Sequence, residues 1–376
     1  MLEIITSIGM FSAVIYLLIL LYLAMGIIRT KTEETDIQPS VSVIVAAHNE
    51  SLNIAPCLDS ILNQSYPQDK TEVIIVNDRS QDETELIIDN YIKICNNLQV
   101  INIDATNNMG IDNKINALSK GIAKSKGDII ITTDADCIVS KNWIKIIISY
   151  FTLNTGMVVG LSPITPTAWW LSKFVCIDAL VADLVASGSL GWKHAVTCTG
   201  RNLAYRRSVY EAVGGFSGID HLISVDDDLF MQKIANSSSV GIRYMLNGDS
   251  AVFSPSPINS KHFISQRKRH ISTAKYFSLP VQLGYGLTFI TKLFIILSFI
   301  ISIFIDSGLS IHISMLSLTF ISTIILLYFI AHKTKQTSLL FIYPIWEFYY
   351  ILNQIVLGPM GLLGRINWDS RHDFKV

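Results

Sequence analysis

The chain has 376 residues, half of them hydrophobic and only 16% charged, with a formal net charge of −1. A mean hydropathy of +0.42 is high for a soluble protein and places part of the chain in lipid, while the balanced charge, with no dominating basic stripe, excludes an electrostatic nucleic-acid binder. The five cysteines, Cys57, Cys95, Cys137, Cys176 and Cys198, are odd in number and lack CxxC spacing, which argues against a zinc site or a disulfide framework and for reduced core residues.

In chain order, residues 4–28 carry no charge, and at about 1.5 Å per residue such a run exceeds a hydrocarbon core of about 30 Å. The run is too long for a signal-peptide core and no basic segment precedes it, so 1–28 is expected to be a transmembrane anchor, followed by a polar linker at 29–39. From there the pattern alternates. Residues 41–46, 72–76, 98–103 and 128–133 are apolar and rich in β-branched types, and 52–64, 82–94 and 114–124 have helical spacing. This alternation predicts an α/β fold, a mostly parallel sheet covered by helices, over 40–283.

Ligands of such sheets bind beyond the carboxyl ends of the strands. Three polar sets stand there: His48-Asn49-Glu50, Asn77-Asp78-Arg79-Ser80 and Asp134-Ala135-Asp136. Asp134 and Asp136 can offer hard oxygens to Mn2+ or Mg2+ beside a diphosphate, and such an ion offsets the charge on a departing nucleoside diphosphate. Asp78 can accept from a base edge or ribose hydroxyls, with the backbone near Ala47 and His48 approaching the nucleotide; its other reading is a cap or turn residue near Asp82. Lys114 can reach phosphate or simply stand on a solvated helix face. Farther on, Asp226-Asp227-Asp228 precedes an apolar run where a helix can start. Acids suit a helix N-terminus electrostatically, but three exceed what capping needs, and crowding or burial would raise one carboxyl into the range of a base for an acceptor hydroxyl.

Residues 261–280 are expected as an interfacial helix. Gln266 and Arg269, three apart, share one helical face toward an acceptor or diphosphate, whereas Arg267 and Lys268 read as a positive flank at the headgroups. The region 284–376 is a membrane region with spans at about 287–305 and 311–331, joined by Asp306-Ser307-Gly308, and a weaker segment at 339–363 that spans or re-enters. Arg29 and Lys31, the basic cluster 267–275, and Lys333 with Lys335 flank these spans on one side. By the positive-inside rule that side is cytosolic. The expectation is an integral protein of the plasma or inner membrane with a cytosolic central domain and an outward N-terminus.

Together these motifs resemble the family 2 glycosyltransferases of the GT-A fold, over approximately residues 40–276. The segment 41–50 resembles the family's first strand and nucleotide turn, Asn77-Asp78-Arg79-Ser80 its base-recognition motif, and Asp134-Ala135-Asp136 its metal-binding DxD. Thr199-Gly200-Arg201-Asn202 resembles the acceptor-side glycine segment, here with Gly214-Gly215-Phe216 after it. The resemblance implies that the aspartate cluster supplies the base. The family's Glu-Asp pair falls on 225–226, 226–227 or 227–228, with Asp226 or Asp227 preferred over Asp228.

Gln266 to His270 is similar to the QxxRW signature of membrane-embedded synthases, with His270 in the tryptophan position. That departure and the few apolar segments favour transfer of one sugar to a lipid-linked or saccharide acceptor over a processive polysaccharide synthase, and the resemblance implies that the transfer, from a nucleotide-diphosphate sugar, is inverting. By resemblance Asp78 fits uridine, which makes a UDP-sugar the expected donor. Ala47, His48, Glu50, Asp78, Lys114 and Asp134 are the expected nucleotide-sugar contacts. Gly200, Arg201, Asn202, Gln266 and Arg269 are those to acceptor or diphosphate. A non-enzymatic nucleotide sensor of the same fold has no need of the acids at 226–228, and Lys292 and Glu347 outline no transport pathway.

Overall fold

The computed structural model describes residues 2–30, 35–103, 114–219, 227–237, 239–305 and 308–363. Strands β1 (Val41–Ala47), β2 (Thr71–Asp78), β3 (Leu98–Ile103), β4 (Ile129–Asp134), β5 (Thr155–Gly160), β7 (Leu203–Arg206) and β8 (Gly241–Met245) form a seven-stranded sheet of order β3-β2-β1-β4-β7-β5-β8. The short β6 (Ile164–Thr165) and β9 (Ser254–Pro255) pair with each other. Strand β1 runs parallel to both β2 and β4, and β7 is antiparallel to both β4 and β5.

Side chains alternate across β1, as a period of two requires. Val41, Val43 and Val45 join a core with α2 (Ile54–Leu62), α3 (Thr84–Ile92) and α5 (Trp143–Ser149). Ile44 faces the other core, with α4 (Lys114–Lys124), α6 (Ser172–Gly191), α7 (Arg207–Ala212) and α8 (Asp227–Ser237). Covering both faces accounts for the near-continuous apolar strands. The expected helix at 52–64 is shorter than its pattern, because Leu52 stands 90% exposed ahead of the first turn.

Five described helices are long and apolar enough to cross a membrane by length and composition. They are α1 (Leu2–Arg29), α6, α10 (Leu279–Ile305), α11 (Leu309–Lys333) and the stretch ending in α12 (Tyr343–Leu363). Helix α6 has no counterpart in the sequence expectations. It is also the most enclosed, 61% buried over its apolar window, since it packs on the sheet at β8 as well as on α1. The α1–α6 crossing is close. A Cβ on Gly191 would fall 1.8 Å from the carbonyl oxygen of Gly26, and one on Gly26 1.8 Å from that of Gly188, so only glycines fit there.

Helices α1, α10 and α11 pack against one another, whereas α12 packs chiefly along α9 (Ser260–Thr273). Polar side chains join the apolar helices. Tyr16 and Thr323 share a hydrogen bond of 3.0 Å, and Lys292 meets both oxygens of Glu347 at 2.8 and 2.9 Å. The rings of Tyr16, Trp346 and Tyr350 surround the same ammonium at 5.0–5.2 Å. Lys292 and Glu347 are thus each other's partners.

Candidate active site

The topology brings three strand exits to one place. Across the sheet Ala46 is level with Asp134 and Ala47 with Asn77, so the turns after β1, β2 and β4 open side by side, where the strand order reverses. Asn49 and Arg79 adopt left-handed backbone conformations, φ 55° and 56°, which turn the chain sharply at two of these exits. The turns are tied together: Asn49 Oδ1 accepts from the Gln81 N–H at 2.7 Å, and the Glu50 N–H donates to Thr84 Oγ1 at 2.8 Å. The His48 ring donates through Nδ1 to the Asp78 carbonyl.

The buried Asp78 carboxylate receives Nε of Arg79 at 2.9 Å and Nη2 at 3.2 Å. Asp82, rather than Asp78, serves the start of α3, accepting the Thr84 N–H at 3.1 Å. The capping alternative for Asp78 therefore falls to its neighbour. At the end of β4, ligand atoms of Asp134, Asp136 and Cys137 all lie within 4.8 Å of one another. Lys114 Nζ, at the first residue of α4, donates to Asp134 Oδ1. The Cys137 thiol donates to Asp136 Oδ1 at 3.4 Å. Burial and the adjacent Asp134 carboxylate push the Asp136 carboxyl up, against the pull of Arg201 and Lys114. Two carboxylates with hard oxygens suit a magnesium or manganese ion better than a softer metal.

Because β7 runs antiparallel to β4, the turn before it is delivered beside the β4 exit. Thr132 Oγ1 donates to the Gly200 carbonyl at 3.0 Å. The Gly200 N–H in turn donates to Asp227 Oδ2 at 2.6 Å. Burial holds the Asp227 carboxyl above the usual carboxylate range, with Lys114 opposing and Asp134 adding to the shift. The hydrogen bonds from Thr132 to Gly200 and from Gly200 to Asp227 tie Asp227 to the β4 exit. Asp228 binds the same segment two residues earlier, its Oδ1 accepting the Cys198 N–H. Asp226 lies outside the described residues.

Arg201 donates to Ser254 Oγ at 2.5 Å and to the Ser162 carbonyl at 2.8 Å. Asn202, expected at the acceptor side, is instead a core residue. It is 1% exposed, donates to the Leu161 and Ser250 carbonyls at 2.8 Å each, and accepts Trp143 Nε1 at 3.0 Å. With the side chain so engaged, contact with an acceptor would require breaking buried bonds.

Gln266 and Arg269 are half-buried on α9. Arg267, read from sequence as a headgroup flank, is drawn inward to an ion pair with Asp178 of α6. Asp178 also accepts Trp346 Nε1 at 2.9 Å. The sequence signal for Asp178 is one of two acids, with Asp183, inside an otherwise apolar helical run.

The glycosyl transferase family 2 profile matches residues 42–214, and the glycosyl transferase family group 2 profile matches residues 129–346. The probable glycosyltransferase YdaM of Bacillus subtilis (strain 168) is 33% identical over 199 residues, 51% of this chain and 46% of that protein. The beta-monoglucosyldiacylglycerol synthase of Synechocystis is 29% identical over 211 residues, 54% of this chain and 42% of that protein. The chain thus spans less than half the length of these two relatives. Among solved structures, the mannosyltransferase PcManGT from Pyrobaculum calidifontis, in complex with GDP-Man and Mn2+, superposes with a TM-score of 0.58 at 17% identity, over 93% of this chain and 99% of that one. At that identity the likeness speaks for a common fold.

Proposed function

The chain belongs to the family 2 glycosyltransferases of the GT-A fold, and from that premise we propose a membrane-bound inverting enzyme that transfers one sugar from a nucleotide-diphosphate sugar to a lipid-linked acceptor at the cytosolic face. The observation that carries this reading is the meeting of Asp78, the Asp134/Asp136 pair and the Gly200–Asp227 contact around adjoining strand exits. The five apolar helices support membrane attachment, and the name of the glucosyldiacylglycerol synthase relative supports a lipid acceptor. A UDP-sugar is the expected donor.

In this reading Asp78 accepts from the nucleoside and Lys114 neutralises charge beside the diphosphate. Asp134 and Asp136 would hold Mn2+ or Mg2+, which when bound supplies positive charge to the leaving diphosphate. The acceptor hydroxyl loses its proton to a carboxylate of the 226–227 pair and attacks the anomeric carbon from the face opposite the diphosphate. One displacement inverts the centre, and no covalent sugar-enzyme species forms. Gln266 and Arg269 approach from α9, which brings the reacting groups to the membrane side of the domain. Closure against water favours transfer over donor hydrolysis.

The test is nucleoside diphosphate release by the purified full chain over a panel of UDP- and GDP-sugars, with and without Mn2+ or Mg2+, and with lipid extract as acceptor. Metal-dependent release from one donor, stimulated by lipid and absent in Asp134→Ala, is the expected result. Nucleotide binding with no release under any of these conditions would count against an enzyme of this kind.

A further inference from the structure

Arg267 sits between the two residues of α9 assigned to the diphosphate and acceptor, yet its own side chain points into the protein. Its Nη2 pairs with Oδ2 of Asp178, and the other oxygen of that carboxylate accepts Trp346 Nε1 at 2.9 Å. Its guanidinium also lies 5.4 Å from the Phe263 ring centre. Three helices far apart in sequence, α6, α9 and α12, thus meet on one carboxylate. The pair is partly buried, where desolvation offsets much of the attraction, so its fixed geometry matters more here than its net stability. A second contact holds the far end of α9: a Cβ on Gly361 of α12 would come within 2.6 Å of Ile271 Cβ and 3.2 Å of the Lys268 carbonyl oxygen.

The same tryptophan reaches the apolar helices, its ring centre 5.2 Å from the Lys292 ammonium that pairs with Glu347. A continuous line of polar contacts therefore leads from α10 through Trp346 and Asp178 to Arg267. Successive residues on a helix are turned by about 100°. Fixing the azimuth of Arg267 therefore fixes the directions of Gln266 and Arg269, and a turn of one residue would carry both away from their present side.

We propose that Asp178 and Trp346 are positioning residues: Asp178, itself held by Trp346, grips Arg267, which sets the rotation of α9 and so aims Gln266 and Arg269 at the donor diphosphate and acceptor. The proposal rests on the assignment of Gln266 and Arg269 to those two ligands. It also couples the seating of the apolar helices to the reaction, because Trp346 belongs to both contacts.

The test uses the full chain in nanodiscs and the variants Asp178→Asn, Arg267→Gln, the double variant and Trp346→Phe, with Arg269→Ala as reference. Small misplacements of catalytic groups cost on the order of 100-fold. Asp178→Asn is therefore expected to lower kcat about 10- to 100-fold with donor Kd within about twofold of the parent. The double variant should be no worse than the poorer single variant, and Trp346→Phe, which keeps the ring and loses the N–H, should fall between. Hydrogen exchange supplies a readout independent of turnover: amides of 260–273 should exchange at least about tenfold faster in Asp178→Asn, with those of β1 and β4 unchanged.

Unchanged exchange in 260–273, or a loss of donor binding equal to the loss of turnover, would overturn the proposal. So would full activity of Arg269→Ala, which removes the group to be positioned; that outcome leaves the metal and base assignments standing. Full activity of Asp134→Ala would instead remove the reading of the donor site, while the exchange measurement would still decide whether Asp178 seats α9.

Discussion

The backbone N–H of Gly200 donates to the carboxylate of Asp227 at 2.6 Å, and the glycine's Cα faces the same carboxylate so closely that a Cβ would lie 2.3 Å from Oδ2 and 2.4 Å from Cγ. The glycine is needed here for space. Gly200→Ala must displace the Asp227 side chain, and is expected to lower kcat about 10- to 100-fold while costing about 1–3 kcal/mol of stability. Steady-state kinetics beside a thermal melt checks this, and an unchanged kcat would mean that the position of Asp227 is not used.

The proposed base lies among Asp226, Asp227 and Asp228, with Asp226 or Asp227 preferred, and amide variants separate those two. The variant that removes the base should lose about 100- to 10,000-fold in kcat with donor binding intact by calorimetry, and the other should lose far less. Equal small losses in both would reject the assignment. The pH profile adds a sign. Burial and the Asp134 charge hold Asp227 above the usual carboxylate range, and a base must be deprotonated to act. If Asp227 is that base, activity should rise with pH through a limb displaced upward from the ordinary aspartate value of about 3.9, and the limb should disappear in Asp227→Asn.

Asp134→Ala and Asp136→Ala test the cation. Each is expected to lower nucleoside diphosphate release about 100- to 1,000-fold and to shift the Mn2+ activation curve to higher concentration. Excess Mn2+ should restore part of the activity if one carboxylate remains as ligand. Release that ignores added metal and chelator alike would separate the pair from metal binding.

The strand exits were legible in the sequence because parallel strands covered on both faces read as apolar runs, and in a switch-point fold the turns just past such strands are where ligands bind. The placement of Asp134 and Asp78 comes from that logic. Less legible were contacts that depend on tertiary routing. Asn202 belongs to a motif-like segment, but its amide is used by the Leu161 and Ser250 carbonyls, which no local pattern announces. Arg267 sits in a basic run before an apolar helix, where charge alone predicts headgroups; its true partner, Asp178, lies 89 residues away. Helix α6 has an apolar pattern broken by Lys173, Asp178 and Asp183, and its packing on β8 is a property of the assembled sheet.

Lys292 and Glu347 provide the sharpest test of how the apolar helices hold together. The pair is buried, at 6% and 2% exposure, with Tyr343 donating a further hydrogen bond to Glu347. Removing one partner leaves a charge without its counter-ion in a medium that solvates it poorly, whereas removing both leaves only a packing change. Lys292→Met and Glu347→Met should therefore each cost about 3–5 kcal/mol, and the double variant should recover most of that loss. Detergent-resistant stability followed by thermal denaturation gives the double-mutant cycle. A double variant as damaged as the sum of the two singles would show that the residues act separately, and that the 2.8 Å contact does not join α10 to α12 energetically.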